Sequence, residues 1–262
     1  MAYSTFYYHY KHFGRPDKYE HLKIRIQRIF DCHKGRYGYR RITATLLMEG
    51  IRVNHKTVKR LMDELGLKSL VRVVKYHSYK GTVGPIAPNI LNQNFSADRP
   101  YSKWVTDVTQ VIVNQKKCYI STILDTFNGE IISCKISDRP DLNLVMDMLK
   151  KAYAKHINTT GIILHSDQGW QYQHKAYQES LRKHGIIQSM SRKGNCLDNA
   201  MMENFFGIMK SELLYMNRYK DMNIFKEDLK SYIKYYNKDR IKLRLNGLSP
   251  IRYRKLFLSQ KL

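Results

Sequence analysis

The sequence predicts an α/β protein, a mixed five-stranded sheet with flanking helices that is preceded by an all-helical domain. Three runs rich in Val, Ile, Thr and Tyr follow closely on one another, at 103–113, 117–126 and 129–137. Their spacing and short turns predict an antiparallel meander. Helical and strand-like patterns then alternate up to residue 190.

The predicted helical domain, residues 1–70, contains a helix-turn-helix pattern. Apolar residues at helical spacing predict three helices, at 19–33, 39–49 and 55–65. Asn54 stands where it can cap the third helix. That helix presents three cations away from its apolar stripe, where a recognition helix meets phosphates and base edges: Lys56, Lys59 and Arg60. A solvated basic face on a small helical bundle is the alternative interpretation.

Residues 71–100 are interpreted as a linker, because Gly, Pro, Ser and Asn replace the helical pattern there. The predicted core, residues 101–218, adds five elements to the meander: a helix at 141–156, a strand at 161–165, a helix at 175–183, a strand at 186–190 and a helix in LDNAMMENFFGIMKSELL. This order of elements is that of the ribonuclease H fold. Residues 219–262 are predicted to form a basic helical extension.

The charge of the chain points to an acidic polymer as its partner. The 46 Lys and Arg against 22 Asp and Glu give a formal charge of +24. Residues 1–80 hold 18 basic and 6 acidic side chains, residues 205–262 hold 14 and 5, and residues 101–204 hold 13 and 10. Basic flanks around a nearly balanced centre suggest arms that grip nucleic acid and a core that keeps its carboxylates for another purpose.

Membrane and disulfide-rich proteins are disfavoured by the sequence. No run of 18 or more apolar residues occurs, and the opening segment lacks the apolar region of a signal peptide. We therefore expect a soluble, cytoplasmic, nucleoid-associated protein without a membrane partner. The four cysteines are scattered without zinc-finger spacing, so buried or free thiols are expected.

Three carboxylates are candidate catalytic residues. Asp107 lies in the first predicted strand, Asp167 follows the strand at 161–165, and Glu203 lies in the last helix of the core. Taken singly, they have ordinary interpretations: the solvent face of an edge strand, a turn or helix cap, and an exposed helix glutamate. Asn199 and Lys210, four residues before and seven after Glu203, are predicted to share its helix face.

Together the three acids fit a site for hard divalent cations, which prefer oxygen ligands. Two such ions can be shared by three carboxylates, one activating a nucleophile and the other stabilising the leaving oxygen of a phosphodiester. Asp125 is interpreted as a turn residue, with a fourth carboxylate near the metals as the alternative.

Five long segments of the chain resemble the second-frame (OrfB) transposases of bacterial insertion sequences. They are KGRYGYRRITATLLMEGIRVNHKTVKRLMDELGL, PYSKWVTDVTQV, HSDQGWQYQHKAYQESL, SMSRKGNCLDNAMMENFFGIMKSEL and YIKYYNKDRIKLRLNGLSPIRYR. Asp167 and Glu203 are separated by 35 residues, the spacing of the D,D-35-E signature of the integrase-like catalytic core.

The resemblance implies cleavage at the element ends, followed by attack of the freed 3′-hydroxyl on another phosphodiester. It makes Asp107, Asp167 and Glu203 the catalytic residues and the ligands of Mg2+ or Mn2+, with two ions expected. Lys193, Asn195, Asn199 and Lys210 are implied as DNA contacts, and Asn195 and Asn199 either orient their loop or touch the phosphate. The implied partners are double-stranded DNA at the terminal repeats and target, further copies of the chain assembled on DNA, and a first-frame (OrfA) protein.

Two other functions remain open at this point. A non-catalytic DNA-binding regulator or inhibitor of transposition is expected to carry a broken triad, whereas the acids here are all present. A structure-selective nuclease on the same fold has no need of the helix-turn-helix segment. Both features favour the transposase.

Overall fold

The computed structural model of the chain describes residues 3–12, 17–69, 86–155, 158–192 and 195–260. The chain divides into two compact units, Met1–Leu70 and Val71–Leu262. Residues 71–85 of the predicted linker, and Lys193, lie outside the described residues.

The first unit is helical, as the sequence predicts. Its helices are α1 (Tyr3–His12), α2 (Glu20–Cys32), α3 (Tyr39–Met48) and α4 (His55–Glu64). The predicted apolar stripes of α2 to α4 supply the buried core: Ile26, Ile29, Ile42, Leu46, Val58, Leu61 and Met62. Asn54 caps α4, since its side-chain oxygen accepts a hydrogen bond from the Lys56 N–H at 2.9 Å. Helices α3 and α4 therefore form the predicted helix-turn-helix pair.

The second unit is built on a five-stranded mixed sheet. Its strands are β1 (Lys103–Val113), β2 (Lys116–Asp125), β3 (Ile131–Ser137), β4 (Ile163–Ser166) and β5 (Ile187–Met190). Their order is β3-β2-β1-β4-β5. The first three strands form the predicted antiparallel meander, and β4 and β5 run parallel to β1. The strand β1 is therefore central, with neighbours on both of its edges.

Helices cover both faces of this sheet. They are α5 (Leu142–Lys155), α6 (Trp170–Gln173), α7 (Lys175–Lys183), α8 (Ala200–Met209), α9 (Met222–Lys238) and α10 (Pro250–Ser259). One apolar cluster joins the sheet to α5 and α7 around Trp104, Val145 and Leu181. The other joins it to α8 and α9 around Val105, Phe205 and Leu229. The architecture is the predicted ribonuclease H-like sheet with helices on both sides.

The segments before and after the predicted core also pack into it. Leu91, in the described part of the linker, is 2% exposed within the cluster of α8 and α9. The N–H groups of Ile90 and Leu91 donate to the Ser189 hydroxyl at 3.0 and 3.2 Å. Helix α9 contributes Phe225 and Tyr236 to the same cluster. The division of residues 71–262 into linker, core and extension stays a prediction.

The last helix of the core is not the single helix that the sequence predicts. A 3-10 turn (Cys196–Asn199) precedes α8, and a π-helical turn (Lys210–Leu214) follows it. Asn199 therefore lies before the helix that carries Glu203, whereas the sequence analysis places it within that helix, four residues before Glu203. The π-helical turn is wider than a turn of α-helix, and Glu212 within it forms an ion pair with a buried residue that is distant in sequence.

That partner is Arg240, whose guanidinium forms a buried ion pair with Glu212. Arg240 is 2% exposed, and its Nε donates to the Glu212 carboxylate at 2.8 Å. The Tyr232 hydroxyl donates to the same carboxylate at 3.0 Å. The pair joins the end of α9 to the turn that follows α8.

No helix in the described parts of the chain is both long enough and apolar enough to cross a membrane.

We expect Arg240→Met to lower the free energy of unfolding by about 3–5 kcal/mol, because Glu212 then stays buried without its guanidinium. Urea unfolding of the full chain, followed by circular dichroism, measures the change. The double variant Glu212→Leu/Arg240→Met should recover most of the loss, since it removes both buried charges. Wild-type stability in the single variant would contradict this role of the ion pair.

Candidate active site

Asp107 lies on the central strand, not on the edge strand that its ordinary interpretation requires. Its Cα is paired with that of Thr122 on β2, and the residue is 8% exposed. The Val108 N–H donates to its Oδ1 at 2.7 Å. A carboxylate is thus held in the sheet interior, where an uncompensated charge is costly.

Asp167 directly follows β4, and β4 runs parallel to its neighbour β1. The two acids are therefore held by neighbouring strands. The Gly169 N–H donates to its Oδ1 at 2.9 Å. A Cβ at position 169 would come within 3.0 Å of that oxygen and 3.2 Å of Gln171 Oε1. A side chain at position 169 would therefore displace the Asp167 carboxylate or its neighbours by a few tenths of an ångström.

Glu203 projects from the first turn of α8 and is partly buried. The helix begins where the 3-10 turn meets β1: the side-chain amide of Asn199 donates to the Thr106 carbonyl at 3.3 Å. Since Thr106 precedes Asp107 on the strand, this contact sets the start of α8 beside the first acid.

The pKa of Asp107 is affected by both of the other acids. Burial raises the pKa of Asp107 well above its usual value, and the negative charges of Asp167 and Glu203 raise it further. The Val108 N–H and the Lys210 ammonium act in the opposite direction on this pKa. Burial also raises the pKa of Asp167, against the hydrogen bond from Gly169.

Lys210 interacts with the charge of Asp107, and its place on the same helix face as Glu203 stays a prediction. Burial lowers the pKa of its ammonium group, and the negative charge of Asp107 raises it. The Lys210 ammonium thus offsets part of the negative charge of Asp107.

The donor set fits a hard divalent cation. Three carboxylates from β1, the end of β4 and α8 supply oxygen ligands, and a cation among them would relieve the repulsion that raises the pKa of Asp107. Within the described residues, no three His, Cys, Asp or Glu side chains are already close enough together to enclose an ion.

Asn195 and Asn199 both orient the loop before α8. The Asn195 side chain accepts from the Leu197 N–H at 3.1 Å and caps the 3-10 turn. Asn199 is 5% exposed and binds β1 as described. Of the two roles left open by the sequence, the structure supplies contacts for the loop-orienting one, and DNA contact stays a prediction.

The three cations predicted on the recognition helix are exposed on α4. Arg60 is engaged within its own unit: it forms an ion pair with Glu64, and its guanidinium lies 5.1 Å from the centre of the Tyr19 ring. Lys56 and Lys59 extend from the exposed face of the helix.

Asp125 is the last residue of β2, and its side chain accepts hydrogen bonds beside the turn that follows, where the sequence analysis expects a turn residue. Its carboxylate accepts from the Tyr101 N–H at 2.8 Å and the Phe127 N–H at 3.0 Å. Burial raises its pKa to about 6, and Glu130 raises it as well while Arg254 lowers it. The charged side chains that shift the pKa of Asp125 are therefore Glu130 and Arg254.

Asp198 is a positioning residue that the sequence analysis missed. It is fully buried, and its carboxylate accepts from the Arg192 N–H at 2.9 Å and from Arg192 Nη2 at 3.0 Å. Asn89 and Gln93 donate to it at 3.0 and 2.9 Å. The hydrogen bond from the Arg192 side chain holds the pKa of Asp198 well below its usual range. Its place in LDNAMMEN, beside Asn199, was the available signal.

Tyr172 is the second residue that was missed. It is 1% exposed, and burial raises the pKa of its hydroxyl, with further increases from Asp107 and Asp167. Its ring packs edge-on against Tyr177. The motif HSDQGWQY contains it five residues after Asp167, but nothing in the sequence marks it as buried.

Comparison with known proteins matches both units to described families. The family of HTH-like domains matches residues 17–75, and integrase core domain families match residues 97–196 and 203–258. The putative transposase InsK for insertion sequence element IS150 of Escherichia coli (strain K12) is 52% identical over 251 residues, covering 96% of this chain and 89% of the relative. The chain belongs to the insertion-sequence transposases with an integrase core.

Other relatives agree with this assignment of the transposase. A transposase-like protein of Haemophilus influenzae is 47% identical, covering 79% of this chain and 96% of the relative. The transposase for insertion sequence element IS904 of Lactococcus lactis is 37% identical, covering 90% and 96%. The HTLV-2 integrase catalytic core domain in complex with magnesium shares the fold, with a TM-score of 0.50 at 17% identity, over 60% of this chain and 98% of that one.

In the absence of metal, we expect Asp107→Asn to stabilise the transposase at pH 7–8. The wild-type acid has a raised pKa in the folded state, so its contribution to stability grows as pH falls and is lost as pH rises. Each pKa unit removed corresponds to about 1.4 kcal/mol, or a rise of roughly 3–6 °C in Tm.

Thermal unfolding in EDTA, measured across pH, checks this expectation. The gain of Asp107→Asn over wild type should shrink towards acidic pH, while Asp98→Asn, at an exposed position, should show no gain. A variant less stable than wild type at pH 8 would contradict the proposed repulsion.

Proposed function

We propose that Asp107, Asp167 and Glu203 hold two Mg2+ or Mn2+ ions and form the site of DNA cleavage and strand transfer. The observation that carries the proposal is the raised pKa of Asp107, which arises from burial and from the charges of the other two acids. The magnesium complex of the HTLV-2 integrase core supports the choice of metal.

The proposed reaction has two steps at this site. In cleavage, the oxygen of a water bonds to the phosphorus at the element end, and the bond from phosphorus to the 3′-oxygen breaks. A 3′-hydroxyl and a 5′-phosphate result. In transfer, that 3′-oxygen bonds to a phosphorus of the target, and the 3′-oxygen of the target strand leaves. When bound, the ions supply nucleophile activation and leaving-group stabilisation.

In the proposed reaction, the side chains of the transposase hold the metal ions and orient the DNA. The hydrogen bonds from Val108 to Asp107 and from Gly169 to Asp167 fix one oxygen of each carboxylate. Lys210 lies near Asp107 and is placed to contact a phosphate of the terminal DNA. Because both steps are direct displacements at phosphorus, no side chain becomes covalently modified.

The proposed substrate is the double-stranded DNA of a bacterial nucleoid, at the terminal repeats and at the target. The helix-turn-helix unit binds it through the exposed face of α4, and Lys193, Asn195 and Asn199 contact it near the acids. The formal charge of +24 favours this partner. Joining two element ends calls for more than one copy of the chain on DNA, and a first-frame protein is the further proposed partner.

Replacing any one acid should abolish chemistry and spare DNA binding. Several kcal/mol of transition-state stabilisation are lost with a metal ligand, so Asp107→Asn, Asp167→Asn and Glu203→Gln should each lose more than about 10³-fold in rate. The assay is cleavage and joining of labelled element-end DNA in Mg2+, Mn2+ or EDTA.

The matched control is Glu227→Gln, which removes an exposed helix carboxylate of the same unit. It should cleave at the wild-type rate. Retained cleavage by a triad variant would remove that acid from the site. Binding without cleavage by the wild type, with the first-frame protein added, would favour the regulator instead.

The double variant Lys56→Ala/Lys59→Ala should weaken DNA binding similarly for all sequences, because both ammonium groups are proposed to contact phosphates. The slope of log affinity against log salt should fall by about 2, one unit for each phosphate that is no longer neutralised. Fluorescence anisotropy at several salt concentrations measures it. Lys116→Ala/Lys117→Ala, an equal charge change at the start of β2, is the control. An equal weakening there would contradict the assignment to α4.

A further inference from the structure

The two tryptophans of the transposase lie in opposite environments. Trp104 is fully buried in the core, whereas Trp170 is 49% exposed. Trp170 is the first residue of α6 and stands three positions after Asp167. The other three residues of that short helix are buried, at 8%, 1% and 5% exposure: Gln171, Tyr172 and Gln173.

The backbone of Trp170 is held in place from both sides. The Gly169 N–H binds the Asp167 carboxylate at 2.9 Å, and the Tyr172 N–H donates to the Gly169 carbonyl at 3.0 Å. The side-chain amide of Gln171 donates to the Pro140 carbonyl at 3.1 Å. The side-chain amide of Gln188 donates to the Tyr172 carbonyl at 2.8 Å. An exposed indole on a fixed backbone loses little freedom when it binds a flat ligand.

The helix α6 is adjacent to the catalytic acids. Both Asp107 and Asp167 act on the pKa of Tyr172, two residues along from the indole. An exposed aromatic side chain on this helix is therefore within reach of DNA whose phosphate lies at the acids. A nucleobase is the part of DNA with an aromatic face, and stacking on an indole is tolerant of sequence.

We propose that the Trp170 indole stacks on a nucleobase with a free face, at a frayed or single-stranded end beside the phosphodiester that is cut. A base inside a closed duplex has both faces covered by its neighbours and offers only its edges. The indole therefore distinguishes opened DNA ends from continuous duplex. This inference rests on the proposed function, because it needs DNA at the acids.

Tryptophan fluorescence in EDTA tests the proposal without any chemistry. The probes are a 20-base-pair duplex with a three-nucleotide overhang and a duplex of the same length closed by hairpins at both ends. The overhang duplex should quench the emission of the wild-type protein and should not quench Trp170→Ala, in which Trp104 alone emits. Because the acids and metal are not needed for this signal, failure of the catalytic proposal leaves the test interpretable.

Binding constants for the same probes supply the second measurement. Loss of one stacked base corresponds to roughly 5- to 150-fold in affinity. Trp170→Ala should weaken binding of the overhang duplex within this range and leave the hairpin-closed duplex unchanged, and Trp170→Phe should restore most of the affinity.

Two results would overturn the proposal. One is an equal effect of Trp170→Ala on both duplexes, which assigns the indole to general DNA contact. The other is a change in the emission of the wild-type protein with protein concentration when no DNA is present. If Trp170→Ala lacks this change, the exposed indole face is assigned to contact with a second copy of the chain.

Discussion

The charge of Asp107 inside the central strand is the constraint on which the rest of the site depends. Two backbone N–H groups and Lys210 offset the charges of Asp107 and Asp167, yet the pKa values of both acids remain raised. The offset is therefore incomplete. Carboxylate oxygens held in this way favour hard cations, and the proposed ligands come from three separate elements whose positions the fold must hold.

Two ion pairs hold the helix that carries Glu203, one with a buried carboxylate and an exposed guanidinium and one buried on both sides. Before α8, Asp198 joins Arg192 to the segment around Asn89, and after α8, Glu212 joins the π-helical turn to Arg240. Buried pairs add little net stability compared with apolar packing, so their contribution is to fix one arrangement of the chain. Here they fix the start and the end of the helix that presents the third acid.

Periodic patterns explain how much of this fold the sequence could predict. The meander, α5, α7 and the helix-turn-helix pair have long alternating or helical patterns, and the structure confirms them with boundaries shifted by at most two residues. The four residues of α6 are too few to show a period. The ends of α8 depend on contacts with Thr106 and Arg240, far away along the chain, and no local pattern records such contacts.

The acids and their neighbours Asn199 and Lys210 were predicted from the sequence, whereas Asp198 and Tyr172 were not. A resemblance names the residues that match a motif, whereas the roles of Asp198 and Tyr172 follow from burial, which the sequence does not display. The exposure of Trp170 is hidden for the same reason, since tryptophan side chains are on average highly buried.

The charge of the site also limits which side chains can contact DNA beside it. A further Lys or Arg next to the acids would pair with their carboxylates and compete with metal ions, as the mutual effects of Lys210 and Asp107 on their pKa values illustrate. Cations that bind phosphates are therefore better placed away from the acids, and the sequence concentrates them in its flanks. A neutral aromatic side chain escapes this competition. Trp170 can hold DNA close to the acids because stacking needs a flat apolar face and adds no charge to the site.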